Sequence, residues 1–310
     1  MSGHSHNHGA EGGDSRIGWA IFVNVLLTFA QIAGGIVSGS LSLIADALHN
    51  FSDAASLVIA FGARRIARRP ADNSMTFGYV RAEIVAALIN YTTLIVIGLY
   101  LLYEAVMRFI QPEPIEGWIV VIVAGIALAI DIITAMLTYA MSKSSMNIRA
   151  AFLHNVADAL GSVGVIIAGT LVLVYEWTWI DPAITLLIAG YILWQAFSEI
   201  GSSVRVLMMA TPENIDIYRV IEDLRAIEGV EDVHHVHVFA IDEGHNALEA
   251  HLVISGSSFT DMARVKRQAR KLLSAKHHVG HSTIEIETSQ DRCDQDAKVI
   301  GHEAGNPSSI

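Results

Sequence analysis

The chain has 310 residues, of which 52% are hydrophobic and 16% charged, and its mean hydropathy is +0.44. Soluble domains carry about 25% charged residues, so the shortfall predicts a membrane protein. A formal net charge of -11 argues against nucleic acid as a partner. The single cysteine, Cys293, excludes an internal disulfide and, on composition alone, a cysteine-built zinc site.

The chain opens with "MSGHSHNHGAEGGDSR". This stretch has no short apolar core ending in a small-residue cleavage site, so it is not expected to be a signal peptide. Residues 1–16 are expected to be a disordered His-rich tail, and the irregular spacing of His4, His6 and His8 favours a natural metal-attracting tail over a cloning tag. Six apolar stretches follow, at 17–37, 41–63, 83–109, 117–141, 148–175 and 180–203. Each is near the roughly 20 residues that a helix needs to cross a bilayer. Residues 17–209 are thus expected to form a six-helix transmembrane domain.

Lysine and arginine set the orientation. Arg64, Arg65, Arg68, Arg69 and Arg81 cluster around the link between spans two and three. Lys143 and Arg149 lie at the link between spans four and five, Arg16 precedes span one and Arg205 follows span six. The other links, "SGSL", "IQPEPIEG" and "YEWTWID", hold neither residue. Both termini are therefore expected to be cytoplasmic, with Trp118, Trp177 and Trp179 at the outer interface.

From Thr211 the composition becomes that of a small soluble domain, expected over residues 210–290. "PENIDIYRVIEDLRAI" has helical periodicity, with Pro212 suited to a first turn. "VHHVHVFAI" and "ALEAHLVIS" alternate like strands around the turn "DEGHN". "DMARVKRQARKLLSA" reads as a helix and "STIEIET" as a strand. The order αββαβ predicts a ferredoxin-like α+β layer of helices on a sheet. The polar stretch 291–310 is expected to be a disordered tail.

Two polar pairs interrupt the apolar spans. "LHNFSDA" carries His49 and Asp53 in span two, and "LHNVADA" carries His154 and Asp158 in span five. Residues four apart share a helix face, about 6 Å apart along the axis. Two such helices, face to face, supply two imidazole nitrogens and two carboxylate oxygens. That is a four-coordinate set that zinc accepts readily. An unpartnered aspartate in hydrocarbon costs a few kcal/mol, which a bound cation or a proton removes. Spans two and five run in opposite directions, with His49 about eight residues in from the outer end and His154 about six in from the inner end, so both pairs fall within the hydrocarbon, which suits alternating access. Helix–helix hydrogen bonding explains one intramembrane His or Asp as well as a ligand role does, but explains two H-x-x-x-D pairs poorly.

Other polar groups are less specific. Asp46 shares the face of His49 and suits either ion guidance and proton acceptance or a bond to a neighbouring helix. Asp131 suits a proton site or a packing contact. Asn24, Gln31 and Asn90 read as interhelical bonds, and Arg81 with Glu83 as a structural ion network. Asn50 and Asn155 neighbour the candidate ligands.

"SGSLSLIADALHNFSDAASL", "TFGYVRAE" and "NIRAAFLHNVADALGSVGV" resemble the cation diffusion facilitator family of metal exporters, and the resemblance runs from about Ile17 to Thr288. It implies a homodimer in the inner membrane that exchanges cytoplasmic zinc for protons. It also implies a transport site at His49, Asp53, His154 and Asp158. Two His with two Asp resembles the zinc branch, since imidazole suits zinc and oxygen-rich sets suit manganese. A second metal site of some members, in the link between spans two and three, is not expected here: Asp72 is kept, but Met75 and Tyr79 replace histidines. The resemblance further implies zinc in the soluble domain at a dimer interface. By position its ligands are His234, His251, His281 and Glu285 or Glu287, with Glu287 preferred. His235 and His237 are expected on one strand face and His234 on the other. The competing reading is a set of solvated histidines. An acidic residue expected before "TP" is replaced by Met208 and Met209, which puts an ion-pair latch there in doubt.

The expected function is zinc export by proton exchange, and no enzyme is expected. Export of cadmium, cobalt or nickel and a metal sensor without flux are the alternatives. A metallohydrolase lacks an H-E-x-x-H motif, and tight four-ligand binding disfavours a passive channel.

Overall fold

The computed structural model describes residues 25–142, 146–242, 244–255, 258–293 and 299–300. Asn24 and the histidines of the N-terminal tail lie outside them. The chain forms two compact units, Met1–Gly62 with Ile89–Ile200, and Ala63–Leu88 with Gly201–Ile310.

Among the described residues, six helices precede the C-terminal α/β part: α1 (Val25–Ser38), α2 (Leu41–Ala67), α3 (Ala82–Ile110), α4 (Gly117–Ser142), α5 (Met146–Tyr175) and α6 (Ile180–Leu207). Four of them, α3 to α6, contain stretches long and apolar enough to cross a membrane. The described part of α1 is shorter. At 27 residues α2 is long enough, but Asp46, His49, Asp53, Arg64 and Arg65 break its apolar run. Large apolar side chains such as Phe61, Leu187 and Trp194 stand exposed on this unit, as a lipid-facing exterior requires. Rings of Tyr175, Trp177 and Trp179 form a row at the link between α5 and α6, with successive centroids 5.2 and 6.0 Å apart.

The start of α2 is fixed by two devices. Ser40 is its N-cap, and its hydroxyl accepts from the Leu43 amide at 3.2 Å. Asp181, buried at the first turn of α6, accepts from the Leu41 amide at 2.8 Å and from the Ser40 and Ser42 hydroxyls at 2.5 and 2.6 Å. Its carboxylate thus meets the unsatisfied amides and the positive end of α2. The sequence reading missed this role for Asp181.

Close packing of α4 on α5 depends on glycine. A Cβ on Gly169 would lie 2.9 Å from Val120 Cβ, and one on Gly117 would lie 2.6 Å from the Gly169 carbonyl oxygen. Small residues let helices in lipid approach at the backbone, where van der Waals contact drives association. We expect Gly169→Leu to part α4 from α5 and sharply lower the yield of monodisperse protein in detergent. Gly125→Ala, where a Cβ meets nothing within 4 Å, is the control and should be tolerated. Equal yields of the two variants would refute the close-packing account.

The soluble part contains α7 (Ile217–Arg225), β1 (Val230–Ala240), β2 (Asn246–Ile254), α8 (Phe259–His277) and β3 (Val279–Thr288). This is the expected αββαβ order. The sheet order is β1-β2-β3, with β1 antiparallel and β3 parallel to β2. Val220, Ile221 and Leu224 of α7 and Val265, Ala269 and Leu273 of α8 share one core with Val233, Val236, Leu248, Leu252 and Ile284 of the sheet. Each such large aliphatic contributes about 1.5–3 kcal/mol by leaving water. The first helix starts later than its periodicity suggested. Asp216 captures the Tyr218 and Arg219 amides as N-cap, while Pro212 sits in a turn closed by the Ile215 amide at 3.1 Å. Ser258 caps α8: its hydroxyl accepts from the Asp261 amide at 3.1 Å and donates to the Asp261 carboxylate at 2.6 Å. On α7, Asp223 accepts from Lys276 of α8 at 2.6 Å, and this bond holds its carboxyl below the usual range.

Of the stretch expected to be a disordered tail, residues 291–293 and 299–300 are described. Its Val299 carbonyl accepts from the Val236 amide at 3.0 Å, and Ile300 bridges Val236 in parallel. The backbone edge of β1 offers unpaired groups, and the Val299 carbonyl satisfies one of them.

Candidate metal sites

Within the helical unit, His49 lies on α2 with Asp53 one turn later, and Asp158 lies on α5. His49 Nε2 stands 3.7 Å from an Asp53 carboxylate oxygen and 3.4 Å from one of Asp158. Donor atoms of a tetrahedral zinc site stand roughly 3–4 Å apart, given bonds of about 2 Å. His49 is buried, and Tyr191 of α6 meets its ring edge-on at 6.0 Å. His154 lies on α5, four residues before Asp158; its side chain is outside the described residues. The structure therefore brings together three of the four predicted residues, with ligand atoms within 4.8 Å of one another.

A chain of polar side chains adjoins this cluster. Asn50 Nδ2 donates to Gln31 Oε1 at 3.3 Å, and Gln31 Nε2 donates to Asp46 at 2.7 Å. Ser162 donates to Asp131 at 3.1 Å and lies 3.4 Å from Asp46. Gln31, Asp46, Asp131 and Ser162 are all buried, and the chain ties α1, α2, α4 and α5 together. Asn90 accepts from Ser56 at 2.6 Å, joining α3 to α2.

The link after α2 uses its polar groups locally. Asp72 accepts from the Ser74 hydroxyl, the Tyr79 hydroxyl and the Ser74 and Met75 amides. These bonds hold its carboxyl well below the usual carboxylate range. Arg81 donates to the Ile241 and Ala240 carbonyls at 3.1 and 3.2 Å, and Glu83 lies 4.0 Å from Arg64. After α6, Arg205 donates to the Thr211 carbonyl at 2.8 Å and faces Glu213 at 3.6 Å.

A second cluster lies on the sheet. His251 Nδ1 stands 2.7 Å from Glu287 Oε1, and His234 Nε2 stands 3.3 Å from Glu287 Oε2. Glu285 is 3.4 Å from the other nitrogen of His251. The expected split of histidines between faces fails for a local reason. His235 adopts φ +53°, and the β1–β2 register shifts between His234 and His237. This bulge breaks the alternation. His234 and His235 both lie beside the His251 ring, at 5.4 and 4.9 Å, while His235 stacks on His237 at 6.1 Å.

Within one protomer His281 does not join them. It is exposed, pairs in register with Ala247, and meets Phe77 at 6.0 Å. Six residues of strand separate it from Glu287, about 20 Å. Its place is taken by Cys293, which composition had set aside: the sulfur lies 3.1 Å from His234 Nε2 and 3.6 Å from His251 Nδ1. One cysteine cannot build a thiolate cage, but it can complete a mixed set, and no spacing motif announces that. Burial holds the His234 imidazole below its ordinary pKa, which keeps a nitrogen lone pair available. Burial, then the Glu287 carboxylate, pushes the Cys293 thiol up, so a cation must offset that charge before the sulfur ionises.

A helical membrane domain with a His–Asp cluster around a buried His49, joined to an α/β domain with its own ligand cluster, defines a multi-pass membrane protein of the metal-transporting class. The cation efflux transmembrane domain matches residues 19–208, and the cation efflux protein cytoplasmic domain matches residues 212–289. The chain belongs to the cation efflux family, the cation diffusion facilitators, which are transporters. It is 34% identical over 290 residues to the cadmium, cobalt and zinc/H(+)-K(+) antiporter of Bacillus subtilis, covering 92% of each chain. It is 34% identical over 310 residues to the metal cation efflux system protein CzcD of Cupriavidus metallidurans, covering 100% of this chain and 96% of that one. It is 34% identical over 296 residues to the zinc transporter ZitB of Pectobacterium atrosepticum, covering 94% and 91%. Among solved structures, the metal-bound C-terminal domain of the Cupriavidus metallidurans CzcD transporter is 27% identical, covering 24% of this chain and 99% of that one, at a TM-score of 0.22.

Proposed function

We propose that the protein exports zinc across the inner membrane in exchange for protons, with both termini cytoplasmic and two copies forming the working unit. The observation that carries this reading is the convergence of a buried His49 with the part-buried Asp53 and Asp158 from two helices. His154 is the fourth ligand in this mechanism. Zinc enters from the cytoplasm and binds neutral imidazoles and ionised carboxylates. The helices then rock to expose the site outward. Protons compete for the same nitrogens and oxygens, so affinity falls as the outer solution acidifies and the protonated site returns. Zinc is also the proposed resident ion of the soluble domain, on His234, His251 and Glu287.

The names of the relatives support this substrate class, and the inclusion of cadmium and cobalt in one of them favours a second reading, in which those ions also pass. The test is zinc flux into proteoliposomes with and without an imposed pH gradient. Flux should rise when the proton gradient opposes the zinc movement. Zinc flux indifferent to the gradient would refute exchange, and binding without flux would leave a sensor. Parallel assays with cadmium, cobalt and nickel rank the cargo.

A further inference from the structure

Cys293 lies beyond residue 289, where the match to the family's cytoplasmic domain ends, yet its sulfur faces the nitrogens of three histidines. Besides the two histidines already named, His235 Nδ1 is 3.8 Å away, and the Cys293 amide donates to Glu287 Oε2 at 3.3 Å. Ligand atoms of His234, His251, Glu287 and Cys293 all lie within 4.8 Å of one another. His234 and Glu287 are 1% and 4% exposed, so neither a histidine in solvent nor a surface acidic patch describes them. His234 Nδ1 is buried with no hydrogen-bond partner, a cost the fold bears while the other nitrogen faces the cluster.

We propose that Cys293 is a metal ligand, that with His234, His251 and Glu287 it forms a complete four-coordinate site for a thiophilic divalent cation, and that the metal clasps the C-terminal segment onto the edge of β1. The site deepens the reading that this domain holds zinc, and it changes two features of that reading. Sulfur replaces the distant His281, and all four donors come from one protomer. Sulfur–nitrogen separations of 3.1 and 3.6 Å bracket those of a tetrahedron with a zinc–sulfur bond of about 2.3 Å and zinc–nitrogen bonds of about 2.0 Å. One thiolate beside nitrogen donors suits zinc, cadmium and cobalt, and disfavours manganese and magnesium.

The clasp follows from where the cysteine sits. After β3 the chain turns back along β1. Ser289 donates to Glu231 at 3.1 Å, and Arg292 donates to Asp232 at 2.6 Å. Cys293 then meets His234, and Val299 accepts from Val236. These contacts follow β1 in order, and the sulfur is the link to buried side-chain donors among them. A metal bond there adds a strong tether to exposed ion pairs that are individually worth little.

The test uses the full chain in detergent carrying Asp53→Ala and Asp158→Ala, so that the helical site cannot contribute. Cobalt is the probe. A near-ultraviolet sulfur-to-cobalt charge-transfer band should appear and vanish in the further variant Cys293→Ser. Because Cys293 is the sole cysteine, alkylation gives a second readout that needs no folded variant. Zinc should slow modification of the thiol by about tenfold or more. Zinc should also slow hydrogen exchange at the Val236 amide when Cys293 is present and not when it is serine. Visible cobalt bands without a sulfur band, a near-ultraviolet band that survives Cys293→Ser, or alkylation unaffected by zinc would overturn the ligand assignment. Equal Val236 exchange with and without zinc would overturn the clasp. Either failure leaves flux through the helical site untouched.

Discussion

Asp53→Ala and Asp158→Ala are each expected to lower gradient-driven zinc flux in proteoliposomes by about 100-fold or more. Losing a group that merely orients a ligand costs roughly 10- to 100-fold in affinity, so losing a ligand sets that as a floor. The geometry makes the loss specific. The two carboxylates flank one imidazole, at 3.7 and 3.4 Å, and alanine at either position removes an oxygen that the remaining donors cannot replace. Neither substitution should unfold the protein, because removing a carboxylate from the apolar interior relieves a desolvation cost. Elution as a monodisperse species in detergent checks that point. Wild-type flux in both variants would mean that the cluster packs or senses and that the pathway runs elsewhere.

Asp181→Ala is expected to do the reverse, damaging the fold without touching a donor of the cluster. The carboxylate accepts from the Leu41 amide and from the Ser40 and Ser42 hydroxyls, all buried. Ser40 remains as the N-cap, so the cost is that of the three donors that lose their acceptor, about 1–3 kcal/mol for each buried donor left unsatisfied. A total of about 3 kcal/mol or more is expected, read as a lower thermal midpoint in detergent. Asp181→Asn keeps an acceptor oxygen and should recover part of it. Since α2 carries His49 and Asp53 two and three turns below this cap, zinc flux should fall in proportion to the folded fraction. An unchanged midpoint for Asp181→Ala would show that the cap is dispensable.

Particular residues show where reading from sequence succeeds. His49 with Asp53 was legible because the helix period is strictly local, so a spacing of four determines a shared face whatever surrounds it. The apolar runs of α3 to α6 were legible because the bilayer acts on each helix as a solvent, residue by residue. The αββαβ order followed from periodicities of the same local kind. Asp181 was not legible, since its partners lie about 140 positions away in the chain, and nothing near it marks a cap for another helix.

The soluble cluster divides along the same line. His234, His251 and Glu287 were named from sequence, but His281 was named with them and Cys293 was set aside. Which strand positions face one another depends on register, and register depends on pairing between distant segments. The bulge at His235 turned its ring beside His234, a backbone event that strand alternation cannot anticipate. The return of the C-terminal segment along β1 placed a sulfur where composition had excluded one. Sequence alone determined helix faces, membrane class and element order, because those are set by nearest neighbours and solvent. Tertiary structure decided which donors meet, because convergence is set by pairing and packing across the whole chain.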